Sequence, residues 1–273
     1  MRNLEPALTS VANPRVKGWA KLSERKQREK EGRFKLEGVH LVEEALAAGW
    51  PLECVVFEED MGIPEELSGY ADGSVSTLSA PSWIPVSPDI IAKCVETESP
   101  QPVFAVAQRK SVDRQTLFAA GSGPIVVLDG VQDPGNVGTI IRSAAASGAS
   151  AVVLGKGTAD LYNSKTLRST MGTLFCIPVL EADLAELLPE ARRQGKTLFG
   201  TSLQATKSCY EVDLGRDAWL LFGNEGSGLS AAAEALVDQP IIIPMTGKAE
   251  SLNVAMAATV LLFESQRQRG MRE

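Results

Sequence analysis

Three stretches of the 273-residue chain gather residue types that could hold a ligand. The first runs from Asp129 through Gly130, Gln132, Asp133, Gly135, Asn136 and Gly138, with Arg142 one helical turn further on. The second is Gly223-Asn224-Glu225-Gly226-Ser227-Gly228-Leu229. The third is Pro244-Met245-Thr246-Gly247, leading to Ser251-Leu252-Asn253. Gly and Asn accept tight backbone conformations, so any one such loop can simply turn the chain. Ser230 and Ser251 serve equally well as helix N-caps. Three of these loops at one sheet edge would instead offer many backbone N–H and C=O groups beside a carboxylate and a guanidinium. That combination suits a nucleoside-sized ligand.

Familiar signatures fail. No Gly-x-Gly-x-x-Gly follows a strand, and Gly195-Lys196-Thr197 lacks a P-loop because Glu190 stands where its first glycine belongs. Glu225 occupies the first glycine position of a Gly-x-Ser-x-Gly around Ser227. ATPase, ordinary dehydrogenase and α/β-hydrolase readings lose their marks. His40 is the sole histidine, which excludes multi-histidine metal sites. Cys54, Cys94, Cys176 and Cys209 form no CxxC pair, so a metal is not expected and reduced thiols in a cytoplasm fit.

The elements that must carry these loops come in a regular rhythm. Strands are expected at 125–129, 151–155, 175–179, 197–201, 218–223 and 240–244. Helices are expected at 137–147, 164–171, 183–194, after Ser230, and from Asn253 to about 267. Short apolar strands alternating with amphipathic helices indicate an α/β fold with a parallel sheet buried on both faces. In open sheets of this kind ligands bind outside the carboxyl ends of strands, where all three loops fall. The first hundred residues are also mixed α/β. A charged helix is expected over 17–31, strands at 34–38, 54–57 and 102–108, a helix from His40 to Ala48, and Pro/Ser/Gly-rich chain at 60–88. The expected organisation is a domain over 1–108, a linker over 109–123 closing on Gly121-Ser122-Gly123-Pro124, and a second domain over 124–273.

Apolar residues at 44% and charged residues at 22% are ordinary for a soluble globular protein. The longest near-continuous apolar run, 254–263, is half of what a membrane span needs, and residues 1–21 lack the apolar core of a secretory signal. Net charge is −7, but it is unevenly spread. Residues 1–40 carry ten Lys/Arg against five Glu, and the remainder 17 against 29 acidic groups. A basic arm on an acidic body can still steer an anionic polymer, although alternating charges also mark a solvated helix face.

The segments DPGNVGTIIRSAAASGA (133–149), LFGNEGSGLS (221–230) and IIIPMTGKAESLNVAMAATVLLFE (241–264) resemble, in order and spacing, the three motifs of the SpoU-type (TrmH-like) RNA 2′-O-ribose methyltransferases of the SPOUT class. The likeness spans 124–270. Residues 9–46 resemble the N-terminal substrate-binding domain often found in that family, which is similar to a small ribosomal-protein α/β fold that binds RNA. The resemblance implies a deep trefoil knot in the C-terminal domain and S-adenosyl-L-methionine bent in the knotted loops. It also implies a homodimer that completes the active site, and methyl transfer to a ribose 2′-hydroxyl without metal. Ribosomal RNA is the implied substrate. Transfer RNA, or a non-catalytic RNA-binding role on the same fold, are the alternatives.

Carried onto this chain, the resemblance makes Arg142 the residue at the reacting hydroxyl. A guanidinium resists deprotonation, so orienting the hydroxyl and an adjacent phosphate is the expected role. Asn136 is expected to fix the turn and the arginine. Glu225 is expected to hold Arg142 or a facing subunit's arginine, and Ser251 and Asn253 to contact substrate or the arginine. Asp133 departs from the Asn-x-x-Asn form common in the family. Thr201, Gly223, Ile243, Met245 and Leu252 are expected at the cofactor. Gly223 would admit close approach, and Ile243 and Leu252 would sandwich the adenine. Lys165, Arg168, Arg25 and Lys26 are the expected RNA-phosphate contacts.

Overall fold

The computed structural model describes residues 3–77, 80–97, 99–118, 123–215, 217–248 and 251–270. The chain divides into two compact units, Met1–Lys110 with Tyr162–Phe175, and Ser111–Leu161 with Cys176–Glu273. Residues 119–122 of the expected linker lie outside the described residues.

The first unit opens with α1 (Pro14–Lys21) and α2 (Arg25–Glu31), where the charge pattern predicts one helix. The break falls at Leu22–Glu24, and Arg28 explains it. Its side chain is buried and donates from Nη1 to the carbonyls of Leu22 and Ser23, each at 2.7 Å, satisfying groups that the end of α1 leaves open. β1 (Arg33–Glu37), α3 (Val39–Ala47) and β2 (Leu52–Glu58) follow. The Pro/Ser/Gly-rich region then proves to be structured, with α4 (Glu65–Asp72), β3 (Ser82–Val86) and α5 (Pro88–Cys94). β4 (Val103–Gln108) completes a sheet of order β1-β4-β2-β3. β3 is an edge strand, which is where a strand can carry Pro85 without breaking a central ladder. Trp19, Ile84, Phe104 and Val106 form its core, with Trp19 edge-on to Phe104 at 5.7 Å between centroids.

The second unit is built on β5 (Ile125–Asp129), α6 (Pro134–Ala146) and β6 (Ala151–Leu154). The helix that follows, α7 (Ser164–Thr170), belongs to the first unit, although the sequence reading put it in the second domain. Side chains flanking α7 explain this: Tyr162 packs on Phe34 at 4.4 Å and Phe175 on Trp50 at 5.1 Å, while Arg109 lies over the Tyr162 ring. The predicted strand 175–179 is also displaced. Met171 and Gly172 adopt positive φ, a 3-10 turn covers Thr173–Phe175, and β7 is Val179–Glu181.

α8 (Leu184–Arg193), β8 (Thr197–Thr201), β9 (Ala218–Gly223), α9 (Ala231–Glu234), β10 (Gln239–Ile241) and α10 (Val254–Gly270) complete this unit. Its sheet has the order β10-β8-β9-β5-β6-β7, and every pair is parallel, as the apolar strand runs imply. Val127, Val153, Leu198, Trp219 and Leu221 meet Leu187 and Leu188 of α8 in its core. α10 packs on α6 and touches β9. The register pairs Asp129 with Gly223 and Thr201 with Ile241, so the ends of four strands reach one sheet edge together.

Candidate active site

At that edge lies a cleft of about 520 Å³. Thr201, Gly223, Ile243, Met245 and Leu252, the five expected cofactor positions, all line it, with Glu225, Ser251 and Asn253. Phe222, Ile241, Ile242 and Val254 make much of the wall apolar, while strand ends and loops supply backbone polar groups. An apolar cleft with a few convergent polar groups is what a small organic ligand needs.

Gly223 also serves the fold. A Cβ there would sit 2.1 Å from the carbonyl carbon of Gly228 and 2.2 Å from the Leu229 nitrogen. The absent side chain therefore makes room for the loop's own return. That loop is closed by paired backbone hydrogen bonds between Asn224 and Gly228 (2.8 and 2.9 Å). The Asn224 Oδ1 accepts from the amides of Gly226 and Ser227, and its Nδ2 donates to the Gly130 carbonyl at 3.0 Å. Asp129 accepts from the Ser230 amide at 2.7 Å. The first and second loops are thus stitched together below the cleft.

A polar relay joins all three loops. Glu225 accepts from the amides of Gln132 and Asp133 (3.1 and 3.2 Å) and from Asn136 Nδ2 at 3.0 Å. Asn136 Oδ1 accepts from Asn253 Nδ2 at 3.0 Å. Asn253 Oδ1 in turn accepts from the amides of Ala255 and Met256 at the start of α10. The direction is forced: an ionised carboxylate only accepts, so the Asn136 nitrogen must face Glu225 and its oxygen must face a donor. Burial pushes the Glu225 carboxyl up, but the hydrogen bonds from Asn136, Gln132 and Asp133 outweigh it and hold the group below the ordinary carboxylate range.

Several expected roles change. Glu225 holds Asn136 and the first loop, and among the described residues it makes no ion pair with Arg142. Asn253, not Ser251, caps α10, while Ser230 caps α9 as expected. Asp133 is the N-cap of α6, accepting from the Asn136 amide at 2.9 Å, a task a carboxylate performs as well as an amide. Arg142 is exposed, does not line the cleft and has no hydrogen bond or ion pair among the described residues. It lies about 9 Å along the axis of α6 and about 120° around it from Asn136. The neighbouring Ser143 hydroxyl instead meets Thr259 of α10 at 2.7 Å, a contact the loop motifs give no hint of.

The four expected RNA contacts belong to the first unit. Arg25 pairs with Glu29 one turn along α2 at 2.7 Å, and Lys26 is exposed beside it. Lys165 is exposed at the start of α7. Arg168 is committed in part to Glu37, at 3.3 Å. No group of three or more His, Cys, Asp or Glu side chains among the described residues is placed to hold a metal ion.

Comparison with known proteins gives the family. The SpoU rRNA Methylase family matches over residues 123–263. The chain belongs to that family. Residues 13–105 match the MRM3-like substrate binding domain. The 23S rRNA (guanosine(2553)-2′-O)-methyltransferase RlmP of Bacillus subtilis is 38% identical over 94% of this chain and 97% of its own length. The crystal structure of the SpoU methyltransferase AviRb from Streptomyces viridochromogenes, in complex with AdoMet, superposes with a TM-score of 0.84 at 33% identity over 94% of this chain and 98% of that one. An AdoMet-bound rRNA methyltransferase from Sinorhizobium meliloti gives 0.82 at 30% identity, over 97% and 98%.

Proposed function

We propose that this SpoU-family protein transfers a methyl group from S-adenosyl-L-methionine to a ribose 2′-hydroxyl of 23S ribosomal RNA. The observation that carries the reading is the Asn253–Asn136–Glu225 relay, which fixes three loops around one cleft. The cleft fits the cofactor: its apolar wall suits an adenine, its strand ends offer backbone groups to a ribose and an amino acid, and a volume of about 520 Å³ is ample. Ile243 and Leu252 would flank the base, with Thr201, Gly223 and Met245 contributing the surrounding backbone.

The bound cofactor supplies a methyl group already activated on a sulfonium. The chain's own task is therefore alignment. The cleft excludes water around the donor. Arg142 presents a guanidinium fork to the hydroxyl and a neighbouring phosphate, and the relay fixes the N-terminal turn of α6, the helix that carries it. Ser251 lines the cleft and is exposed, open to an entering substrate.

A homodimer accounts for Arg142 lying outside its own cleft: a second copy would bring the cleft and the guanidinium together. Met256 (53% exposed) and Phe263 (46%) on α10 support such a face. A trefoil knot accords with the path from β10, at the sheet margin, back to α10 against α6 and β9. In this reading residues 1–108 bind RNA and 124–273 carry out the transfer. Lys165, Arg25 and Lys26 contact phosphates, and Arg168 contacts the RNA with the donors that Glu37 and Ser164 leave over. No described helix is long and apolar enough to cross a membrane, and all four cysteines are free thiols, which fits work in the cytoplasm on ribosomal RNA.

The test is transfer of labelled methyl groups to purified 23S rRNA and, in parallel, to transfer RNA, followed by nuclease mapping. Label on a ribose 2′-oxygen is expected. Label on a base, or on transfer RNA alone, would overturn the reading.

A further inference from the structure

The first unit holds a separate cavity of about 300 Å³, at the lower end of the range for small-ligand pockets (~300–1,000 Å³). Leu41, Val95 and the Met171 thioether give it apolar walls, and Glu37, Arg168 and Gln101 supply its polar edge. The Glu37 carboxylate, with a side chain only 4% exposed, is fully engaged. It accepts from the Glu96 amide (3.1 Å), the Ser164 hydroxyl (2.9 Å) and Arg168 (3.3 Å), and Lys35 stands 3.7 Å away. No acceptor capacity remains there for a ligand.

The unused capacity is of the opposite kind. Arg168 spends Nη1 on Glu37 and Ser164, leaving Nη2 and Nε without a partner among the described residues. Gln101 accepts from the Val39 amide at 2.7 Å through Oε1, which leaves its Nε2 likewise without a partner. Of the charged and amide groups at this edge, what is left over can only donate, while His40, Thr97 and Ser99, which also line the cavity, can serve either way. The matching ligand has flat apolar faces and an edge that carries acceptors.

We propose that this cavity receives one unpaired guanosine of the RNA substrate, its O6 and N7 facing the Arg168 and Gln101 donors and its ring against Met171. Guanine presents two adjacent acceptors on that edge, whereas adenine presents a donor at N6. Proteins commonly read RNA sequence on such unstacked bases. Thioether contact with a ring edge adds to the fit. This inference rests on the reading that the chain acts on RNA.

The test uses the full-length protein and short RNA hairpins with a single unpaired guanosine, inosine, adenosine or 7-deazaguanosine in the loop, with affinity read by fluorescence anisotropy. Inosine, which keeps O6 and N7, should bind within about twofold of guanosine; adenosine and 7-deazaguanosine should bind roughly tenfold more weakly. Gln101→Glu keeps an acceptor for the Val39 amide but removes the donor, and Ser99→Trp blocks the mouth from an exposed position. Both should erase the preference while leaving cofactor affinity unchanged. A 6-thioguanosine hairpin should crosslink to the peptide containing Met171. Equal binding of all four hairpins, or a preference that survives both variants, overturns the proposal. If the wild type still methylates 23S rRNA in that case, only this inference fails; if it neither binds nor methylates RNA, the functional reading fails with it.

Discussion

Glu225 and Asn136 lie 89 residues apart, and their side chains meet at 3.0 Å, binding the loop after β9 to the first turn of α6. The same carboxylate also takes two amides from residues just before that turn. One acidic group thus closes the gap between two motifs that the chain presents far apart.

Replacing that carboxylate should have a pH signature. The folded carboxyl of Glu225 titrates below the ordinary value because its hydrogen bonds outweigh burial. Its stabilising contribution is complete above the unfolded pKa, about 4.3, and is lost as pH falls through the lower folded value. Glu225→Gln should lower stability by about 1 kcal/mol at pH 7, since an exposed group is partly screened. The difference between the two melting temperatures should be constant above about pH 5.5 and shrink towards pH 3. A difference that grows on acidification would contradict the assignment of the carboxylate as an acceptor.

Arg142 should separate chemistry from folding. It has no partner among the described residues, so Arg142→Ala should change stability by less than about 0.5 kcal/mol. Methyl transfer should nevertheless fall by about a hundredfold or more, with cofactor affinity intact. Arg142→Lys keeps the charge but loses the planar fork, and should recover little activity. Calorimetry with the cofactor alongside a transfer assay checks both halves; full activity in either variant would remove Arg142 from the mechanism.

Gly223→Ala should damage the cleft from below. The new methyl group would collide with the Gly228–Leu229 backbone, which cannot yield without moving the loop. Overpacking of this kind typically costs about 1–3 kcal/mol. Cofactor affinity should drop by at least about tenfold as the wall moves, measurable by titration calorimetry. Unchanged affinity would mean that the loop's position is irrelevant to binding.

The second unit was largely legible in the sequence because its strands are continuous apolar runs bounded by turn residues, as in 125–129 and 218–223. The break between α1 and α2 was hidden because Arg28 reads as one more solvated charge, yet it is buried and bonds to carbonyls. β3 was hidden by Pro85 in a region dense in turn residues. The three loops could be found from their Gly and Asn content, but not the relay, since which side chain faces which depends on contacts 89 and 117 residues apart. For the same reason Arg168 read as a free phosphate contact, and its attachment to Glu37, 131 residues away, emerged only in three dimensions.

Asn253 allows the relay to be broken without uncapping a helix. Its Oδ1 accepts from Ala255 and Met256, and its Nδ2 donates to Asn136. Asp is as good an N-cap as Asn, so Asn253→Asp preserves the first function. It removes the donor and sets a carboxylate oxygen against Asn136 Oδ1, two acceptors with no proton between them. Asn136 can relieve this only by turning its amide, which would direct its own oxygen at Glu225. Either arrangement leaves two acceptors opposed. Asn253→Asp should therefore change stability by less than about 1 kcal/mol while lowering kcat by about tenfold or more. Asn253→Ala should lose both functions, with a further loss of about 1 kcal/mol from the missing cap. Combining Asn253→Asp with Glu225→Gln supplies a neutral amide that can donate towards a turned Asn136, so the double variant should recover part of the lost rate. Additive losses in that cycle, measured as kcat with donor and RNA both saturating, would show that the two ends of the relay act independently.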